Sequence, residues 1–180
     1  MRSYVLILGR VACRCALASL ALLAAPGLAQ ERARIVDDAT LLGAARAPDT
    51  WLSYGRDYAE TRFSPLEQID GGNVARLGLA WSYDTGALRG LEATPLVANG
   101  VLYASTSWSD VFALDARTGA QLWKWDARAD RVRGARACCD VVNRGVALYG
   151  GKVYVGVVGG RAAPLPAATG QHAFAFRDDD

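Results

Sequence analysis

Residues 94–127 read TPLVANGVLYASTSWSDVFALDARTGAQLWKWDA, and this stretch decides the fold. Its first half holds two short apolar runs joined by Asn99-Gly100, a pair typical of β-hairpin turns because both residues tolerate positive φ. Its second half predicts another hairpin, which turns at ARTG, residues 116–119. Together the two hairpins predict four short antiparallel strands between about Thr94 and Asp126.

The same pattern recurs farther along the chain, where GVALYGGKVYVGVV, residues 145–158, repeats the first hairpin. The matching positions, each separated by 51 residues, are Gly100 and Gly151, Tyr103 and Tyr154, Thr118-Gly119 and Thr169-Gly170, Trp123 and Phe174, and Trp125 and Phe176. Four strands recurring at this period are typical of β-propeller blades; the alternative is two unrelated hairpins with similar glycine-rich turns. We predict an all-β fold, a partial propeller of about two four-stranded blades, with a short N-terminal helix.

The first 29 residues have the pattern of a secretory signal peptide. Arg2, Arg10 and Arg14 form a basic front, and CALASLALLAAPGLA, residues 15–29, is an apolar run that ends in small residues. This pattern predicts cleavage before Gln30 and a periplasmic or secreted product, with an uncleaved membrane anchor as the alternative. The predicted organisation is therefore a signal peptide (1–29), a helix with an irregular lead-in (30–78), and incomplete propeller blades (79–180).

Removal of the signal peptide changes how the composition is interpreted. The chain has 20 basic and 18 acidic residues, a net charge of +2, and loss of the three arginines leaves 17 against 18. The basic excess belongs to the export signal, so no nucleic-acid surface is predicted. Of the four cysteines, only Cys138 and Cys139 remain, and they enter an oxidising compartment.

Residues 31–47 predict a short helix entered through Asp37 and Asp38, with Leu41, Leu42 and Ala45 on one face. Residues 49–70 mix aromatic residues with glycine and proline and predict an irregular, well-packed segment. NVARL, residues 73–77, predicts one helical turn capped by Asn73.

The sequence has one histidine, His172, and neither a CxxCH haem motif nor zinc-type Cys/His spacing, so we assign no catalytic or metal-binding residue.

Four segments resemble the quinoprotein dehydrogenases, over about Asp49 to Gly160. ALDARTGAQLW, residues 113–123, resembles their tryptophan-docking motif, A-x-D-x-x-T-G-x-x-x-W, which also occurs in non-enzymatic propellers. ACCDVVNRG, residues 137–145, resembles the more specific stretch near their cofactor. WLSYGRDYAETRFSPLEQI (51–69) and LRGLEATPLV (88–97) resemble their lead-in and first active-site segment. The likeness is strongest to alcohol dehydrogenases that use pyrroloquinoline quinone (PQQ) and calcium, especially those with an appended haem domain.

The resemblance implies a structural role for the docking motif. Trp123 would stack between blades, and Ala113, Asp115, Thr118 and Gly119 would belong to the same motif, with the last three closing the turn. Indole suits a blade seam because it offers a large flat apolar surface with a single hydrogen-bond donor.

The resemblance also implies a PQQ site made by Glu92, Cys138, Cys139 and Arg144. The adjacent cysteines would join in a disulfide that lies over the quinone plane; the alternatives are two buried thiols or a cross-link between chains. Arg144 would bind cofactor oxygens, since a planar guanidinium suits carboxylates and an ortho-quinone, or it is a solvated turn residue. Glu92 would contact the cofactor, or it is a plain acid at a strand edge.

The family reaction is alcohol oxidation, with hydride transfer to PQQ, a calcium ion that polarises the quinone, and a cytochrome c acceptor. The family's catalytic base and calcium ligands lie beyond the position of residue 180. The second docking motif is also altered, with Pro164, Pro166 and Phe174 in place of Ala113, Asp115 and Trp123, and prolines are poorly tolerated in an inner strand.

Three interpretations follow. The first is an N-terminal fragment of a PQQ-dependent alcohol dehydrogenase, inactive alone, whose remaining blades could form a separate chain. The second is a non-catalytic propeller-repeat protein that binds a partner chain or completes a ring by association. The third is a small independent β domain whose cofactor-like residues serve packing.

Overall fold

Two four-stranded antiparallel sheets form most of the computed structural model, which describes residues 35–171 and 176–177. For Cys138, Phe176 and Arg177 it describes the backbone alone. The first sheet has the order β1-β2-β3-β4 and comprises β1 (Leu96–Ala98), β2 (Val101–Ser105), β3 (Val111–Asp115) and β4 (Gln121–Trp125). After the separate strand β5 (Cys138–Val141), the second sheet has the order β6-β7-β8-β9 and comprises β6 (Ala147–Tyr149), β7 (Lys152–Val157), β8 (Arg161–Pro166) and β9 (Phe176–Arg177). The predicted all-β partial propeller of two four-stranded blades is confirmed.

Both blades begin with the same tight hairpin turn. Asn99 and Gly100 have φ of 52° and 72°, and Gly150 and Gly151 have φ of 56° and 74°. Two consecutive positive φ angles define the type I′ turn, whose twist matches that of the flanking strands. The turn residues therefore fix the register of both hairpins, as the sequence predicts.

The main hydrophobic core lies in the seam between the two sheets. Along β7, side chains alternate between exposed and buried, as expected for a strand with one covered face. The most deeply buried residues of this core are Val111, Ala113, Ala127, Val153, Ala163 and Leu165. A smaller cluster of Ala104, Phe112 and Leu114 covers the other face of the first blade, under Trp81 and Tyr83.

A tryptophan lies over the β3–β4 turn of the first blade and over the equivalent turn of the second. Trp81 Nε1 donates a hydrogen bond to Ala116 O at 3.3 Å, and Trp123 Nε1 donates to Ala167 O at 2.9 Å. The two acceptors are 51 residues apart, so the second blade repeats the geometry of the first. Sequence reasoning missed Trp81, because it lies in a segment that has no regular secondary structure.

The docking turn itself is closed by Asp115. Its Oδ1 accepts hydrogen bonds from Thr118 N at 2.7 Å and Thr118 Oγ1 at 2.8 Å. The Thr118 side-chain and backbone hydrogen bonds hold the pKa of Asp115 below its ordinary value. This arrangement places Gly119, with φ of 72°, directly against the Trp81 ring.

We expect Gly119→Ala to destabilise the protein more than Gly100→Ala, although both glycines have φ of 72°. A methyl group at Gly119 would lie 2.6 Å from Trp81 Cδ2, whereas one at Gly100 meets nothing within 4 Å. Left-handed strain costs each variant about 1–2 kcal/mol, and overpacking adds about 1–3 kcal/mol at Gly119 alone. Urea unfolding measures the difference, and equal losses would contradict the docking contact.

The prolines of the second docking motif lie in an inner strand, and they remove no donor from its pairing with β7. Strand β8 pairs with β7 over six residues, including Pro164 with Tyr154 and Pro166 with Lys152. Ala167 N donates to Gly151 O, next to β7. Because backbone N–H groups alternate between the two sides of a strand, the nitrogens of Pro164 and Pro166 face away from β7. The β7–β8 ladder therefore loses no hydrogen bond, and the described β8–β9 pairs involve Arg161 and Ala162 instead.

The N-terminal helix is shorter than predicted. Helix α1 (Asp38–Leu42) begins after Asp37, whose Oδ1 accepts from Thr40 N at 2.8 Å, and ends at Gly43. A 3₁₀ turn at Ala44–Arg46 follows, and Leu42 is exposed rather than part of an apolar face.

Asn73 precedes a 3₁₀ turn at Val74–Arg76, but its side chain does not cap it. Its Oδ1 instead accepts from Asp70 N at 3.0 Å, so the predicted turn is present and the predicted cap is wrong.

Helix α2 (Arg131–Gly134) and a 3₁₀ turn at Ser107–Ser109 complete the secondary structure of the described residues. None of the helices in residues 35–171 has the length and apolar character needed to cross a membrane. The predicted signal peptide (1–29), His172 and Phe174 lie outside the described residues.

Candidate cofactor-binding site

The predicted site residues lie on two chain segments that run side by side. At one end Arg89 Nη1 contacts Asp140 Oδ1 at 2.8 Å, and at the other Thr94 N donates to Arg144 O at 3.3 Å. Glu92 lies between the two contacts on the first segment. The fold thus brings the segment LRGLEAT against the segment that follows the paired cysteines.

Glu92 and Arg144 meet directly. Arg144 Nη2 lies 3.3 Å from Glu92 Oε2, and the two side chains are 73% and 46% exposed. An exposed ion pair of this kind contributes at most about 1 kcal/mol to stability. The ion pair instead places a cation and a carboxylate next to each other at the surface, and most of the Arg144 side chain stays accessible.

The paired cysteines begin strand β5, immediately before a residue of that strand with positive φ. Cys139 is exposed, and the side chain of Cys138 is not described, so the disulfide stays a prediction. Asp140 has φ of 66°, and its carboxylate accepts from Val141 N at 2.8 Å. That backbone hydrogen bond, with a further contribution from Arg89, lowers the pKa of Asp140. A carboxylate ionised at neutral pH therefore supports the left-handed backbone conformation of Asp140.

Helix α2 supports β5 from one side. Asp130 Oδ1 caps the helix by accepting from Val132 N at 2.8 Å and Arg133 N at 3.1 Å. The Trp108 ring packs against Gly134, where a side chain would collide with it, and Arg131 Cζ lies 3.9 Å from the ring centroid. The segment that leads into the cysteines is thereby held to the first blade.

The donor set fits a planar, polyanionic cofactor. Arg144 presents a rigid fork of N–H donors that matches carboxylate and quinone oxygens, and the neighbouring Cys139 side chain is also accessible. Residues 35–171 and 176–177 contain no group of three or more His, Cys, Asp or Glu side chains placed to hold a metal.

Two residues that contribute to the site, Arg89 and Trp108, were not predicted from the sequence. Arg89 pairs with Asp140 across 51 residues of sequence, and Trp108 contacts Gly134 across 26. Neither contact can be predicted from residues nearby in the sequence, because each depends on how the first blade packs against the later segment. Asp140 and Asn143, by contrast, make side-chain to backbone hydrogen bonds with residues one and two positions farther along the chain.

Antiparallel four-stranded blades with a tryptophan over each described docking turn, and an arginine–glutamate contact made from the segment that follows adjacent cysteines, define a β-propeller of the quinoprotein type. The family described as PQQ glucose/ethanol/alcohol dehydrogenase, β-propeller domain, matches residues 51–179. The chain belongs to this family.

Curated relatives agree with this assignment. The chain is 50% identical over 155 residues to the quinohemoprotein alcohol dehydrogenase ADH-IIG of Pseudomonas putida, covering 86% of this chain and 22% of that protein. It is 55% identical over 138 residues to the quinohemoprotein alcohol dehydrogenase of Comamonas testosteroni, covering 77% and 19%. The chain therefore spans about a fifth of the length of these relatives.

Solved structures give the same result. The structure of ADHIIG from Pseudomonas putida HK5 matches with a TM-score of 0.78 and 50% identity, over 82% of this chain and 22% of that one. The Comamonas testosteroni enzyme matches with a TM-score of 0.74 and 52% identity, over 80% and 21%. The two-blade arrangement is thus similar to part of a larger propeller in both.

Proposed function

We propose that this chain forms two blades and one wall of the cofactor site of a periplasmic PQQ-dependent alcohol dehydrogenase. The observation that carries the proposal is the 3.3 Å contact between Arg144 and Glu92, made from the segment that follows Cys138 and Cys139 in a propeller of the PQQ family. The signal-peptide pattern of residues 1–29 supports the periplasmic location.

Each site residue has a distinct part in the proposal. Arg144 binds acidic oxygens of PQQ with its exposed guanidinium, and Glu92 orients that guanidinium while contacting the cofactor edge. Cys138 and Cys139 form a disulfide that acts as a stiff apolar lid over the cofactor plane. Bound PQQ supplies the hydride acceptor for alcohol oxidation.

We propose that the catalytic base and the calcium ligands of the reaction come from other parts of the propeller. The chain covers about a fifth of its relatives, so we propose that it binds cofactor without turning over substrate on its own. Calcium, used by the family according to the resemblance, is not assigned to any described residue. An alcohol and a cytochrome c are the proposed substrate and acceptor, in keeping with the 1-butanol dehydrogenase (cytochrome c) of Thauera butanivorans among the relatives.

A second candidate function is a non-catalytic propeller segment that completes a ring with another chain. It is favoured by the outer face of the second blade, where Tyr154 is 39% exposed although its equivalent Tyr103 is 6% exposed under the neighbouring blade. Such a face fits a further blade. This candidate requires no PQQ binding, so cofactor binding separates the two.

Titration of the purified mature chain, without residues 1–29, with PQQ tests the first proposal. We expect a change in quinone absorbance, and at PQQ concentrations near 100 times Kd the free energy of unfolding rises by about 2.7 kcal/mol. Thiol titration of the folded chain is expected to find neither Cys138 nor Cys139 reactive, with Cys138→Ser as the control that exposes one thiol. Unchanged absorbance together with an unchanged melting temperature would leave the second candidate.

A further inference from the structure

Asn143, next to Arg144, uses both ends of its side-chain amide. Its Oδ1 accepts hydrogen bonds from Ser105 Oγ at 2.6 Å and Gly145 N at 3.0 Å. Its Nδ2 donates to Ser109 Oγ at 3.1 Å and Gly156 O at 2.8 Å. Because Gly156 O can only accept and Gly145 N can only donate, these backbone partners fix which way the amide faces.

Three of the four partners come from the two blades, and the fourth, Gly145, is local. Ser105 ends β2, Ser109 lies in the connection from β2 to β3, and Gly156 belongs to β7. Both serines are buried, so their hydroxyl groups are held in place by packing. Asn143 is therefore anchored to the two rigid sheets at once, while the residue that follows it reaches out to Glu92.

The same connection carries local backbone strain. Trp108 and Ser109 have φ of 69° and 68°, a left-handed conformation that costs a residue with a side chain about 1 kcal/mol or more. Ser109 Oγ also accepts from Val158 N at 3.2 Å, so it is bonded to both Asn143 and the second blade. Strain of this kind persists only where surrounding contacts enforce it, and these hydrogen bonds are such contacts.

The orientation of Arg144 follows from its neighbours. Asn143 fixes the residue before it, the bond from Gly145 N to Asn143 Oδ1 closes the turn around it, and Thr94 N holds its carbonyl oxygen. The side chain itself is mostly exposed and has one described ion pair, with Glu92. Its direction is therefore determined mainly by the backbone that Asn143 anchors.

We propose that Asn143 is a positioning residue for PQQ, which acts by fixing the guanidinium of Arg144 against the cofactor. This inference rests on the proposed function. It gives a role to Asn143, which is not among the residues proposed to contact the cofactor. Ser105 and Ser109 serve as its fixed supports.

A double-mutant cycle on PQQ binding tests the proposal. Asn143→Ala is expected to weaken binding by about tenfold, because a misaligned Arg144 loses a charge-assisted hydrogen bond. In an Arg144→Gln background the same change is expected to cost less than about twofold, since the group it positions is gone. Leu114→Ala, in the separate cluster under Trp81, is the control that lowers stability without weakening PQQ binding.

Additive losses in the two backgrounds, or an equal loss of affinity in Leu114→Ala, would overturn the positioning role. Amide hydrogen exchange of Gly145 and Thr94 provides a readout without cofactor, and we expect faster exchange at both in Asn143→Ala. If the unmodified chain binds no PQQ, the proposed function fails, and unchanged exchange at these two amides would separately show that Asn143 does not hold the Arg144 turn.

Discussion

Replacing Trp123 with alanine is expected to lower the free energy of unfolding by about 3–5 kcal/mol. The indole is 8% exposed, lies in the core between the blades, and donates its N–H to Ala167 O at 2.9 Å. Its ring also contacts Gly170 so closely that a side chain there would collide with it. The truncation therefore removes buried apolar area, a hydrogen bond and the cover of the second docking turn together.

Urea unfolding followed by circular dichroism measures this loss. Leu122→Ala is the matched control, because Leu122 is adjacent on the same strand and is 52% exposed. It is expected to cost less than about 1 kcal/mol. Trp123→Phe retains much of the packing but not the donor, so we expect an intermediate loss. A Trp123→Ala variant as stable as Leu122→Ala would show that the seam does not depend on the indole.

Replacing Arg144 with alanine is expected to weaken PQQ binding roughly 100-fold, because two charge-assisted hydrogen bonds at about 1.5 kcal/mol each are lost. Stability should change little, since the side chain is 73% exposed and its ion pair with Glu92 is solvated. Affinity is measured by quinone absorbance, and the melting temperature is recorded on the same samples.

Arg117→Ala is the control for the charge change. Arg117 is also exposed, and its hydrogen bond to Asp115 in the docking turn uses its backbone N–H, so its side chain can be removed without disturbing that contact. We expect PQQ affinity in this variant to stay within about twofold of the unmodified chain. Equal weakening by both substitutions would mean that Arg144 acts only through net charge and has no specific contact with the cofactor.

The parts of this molecule that were predicted from sequence are those encoded locally. Asn99-Gly100 and Gly150-Gly151 adopt the turns that their residue types favour, and the 51-residue spacing carries over into the blades. Asp37 likewise caps its helix from a position three residues before its partner.

The parts that were missed depend on distant partners. Whether a proline is tolerated in β8 is decided by which neighbour its nitrogen faces, and that is set by pairing with β7. The support of Asp140 by Arg89 and the docking of Trp81 need the folded first blade to exist. Family likeness supplied Glu92 and Arg144 as candidates, but only the folded chain brings them to 3.3 Å.

The position of Trp123 has a consequence for how stability is distributed along the chain. This residue belongs to the first blade by sequence, yet the groups it covers, Gly170 and Ala167, belong to the second. The first blade thus supplies an indole to the second, and the free energy of this seam belongs to a pair of repeats, as in a nearest-neighbour chain. Duplicating one such 51-residue unit would therefore add both a new blade and the means of attaching the next.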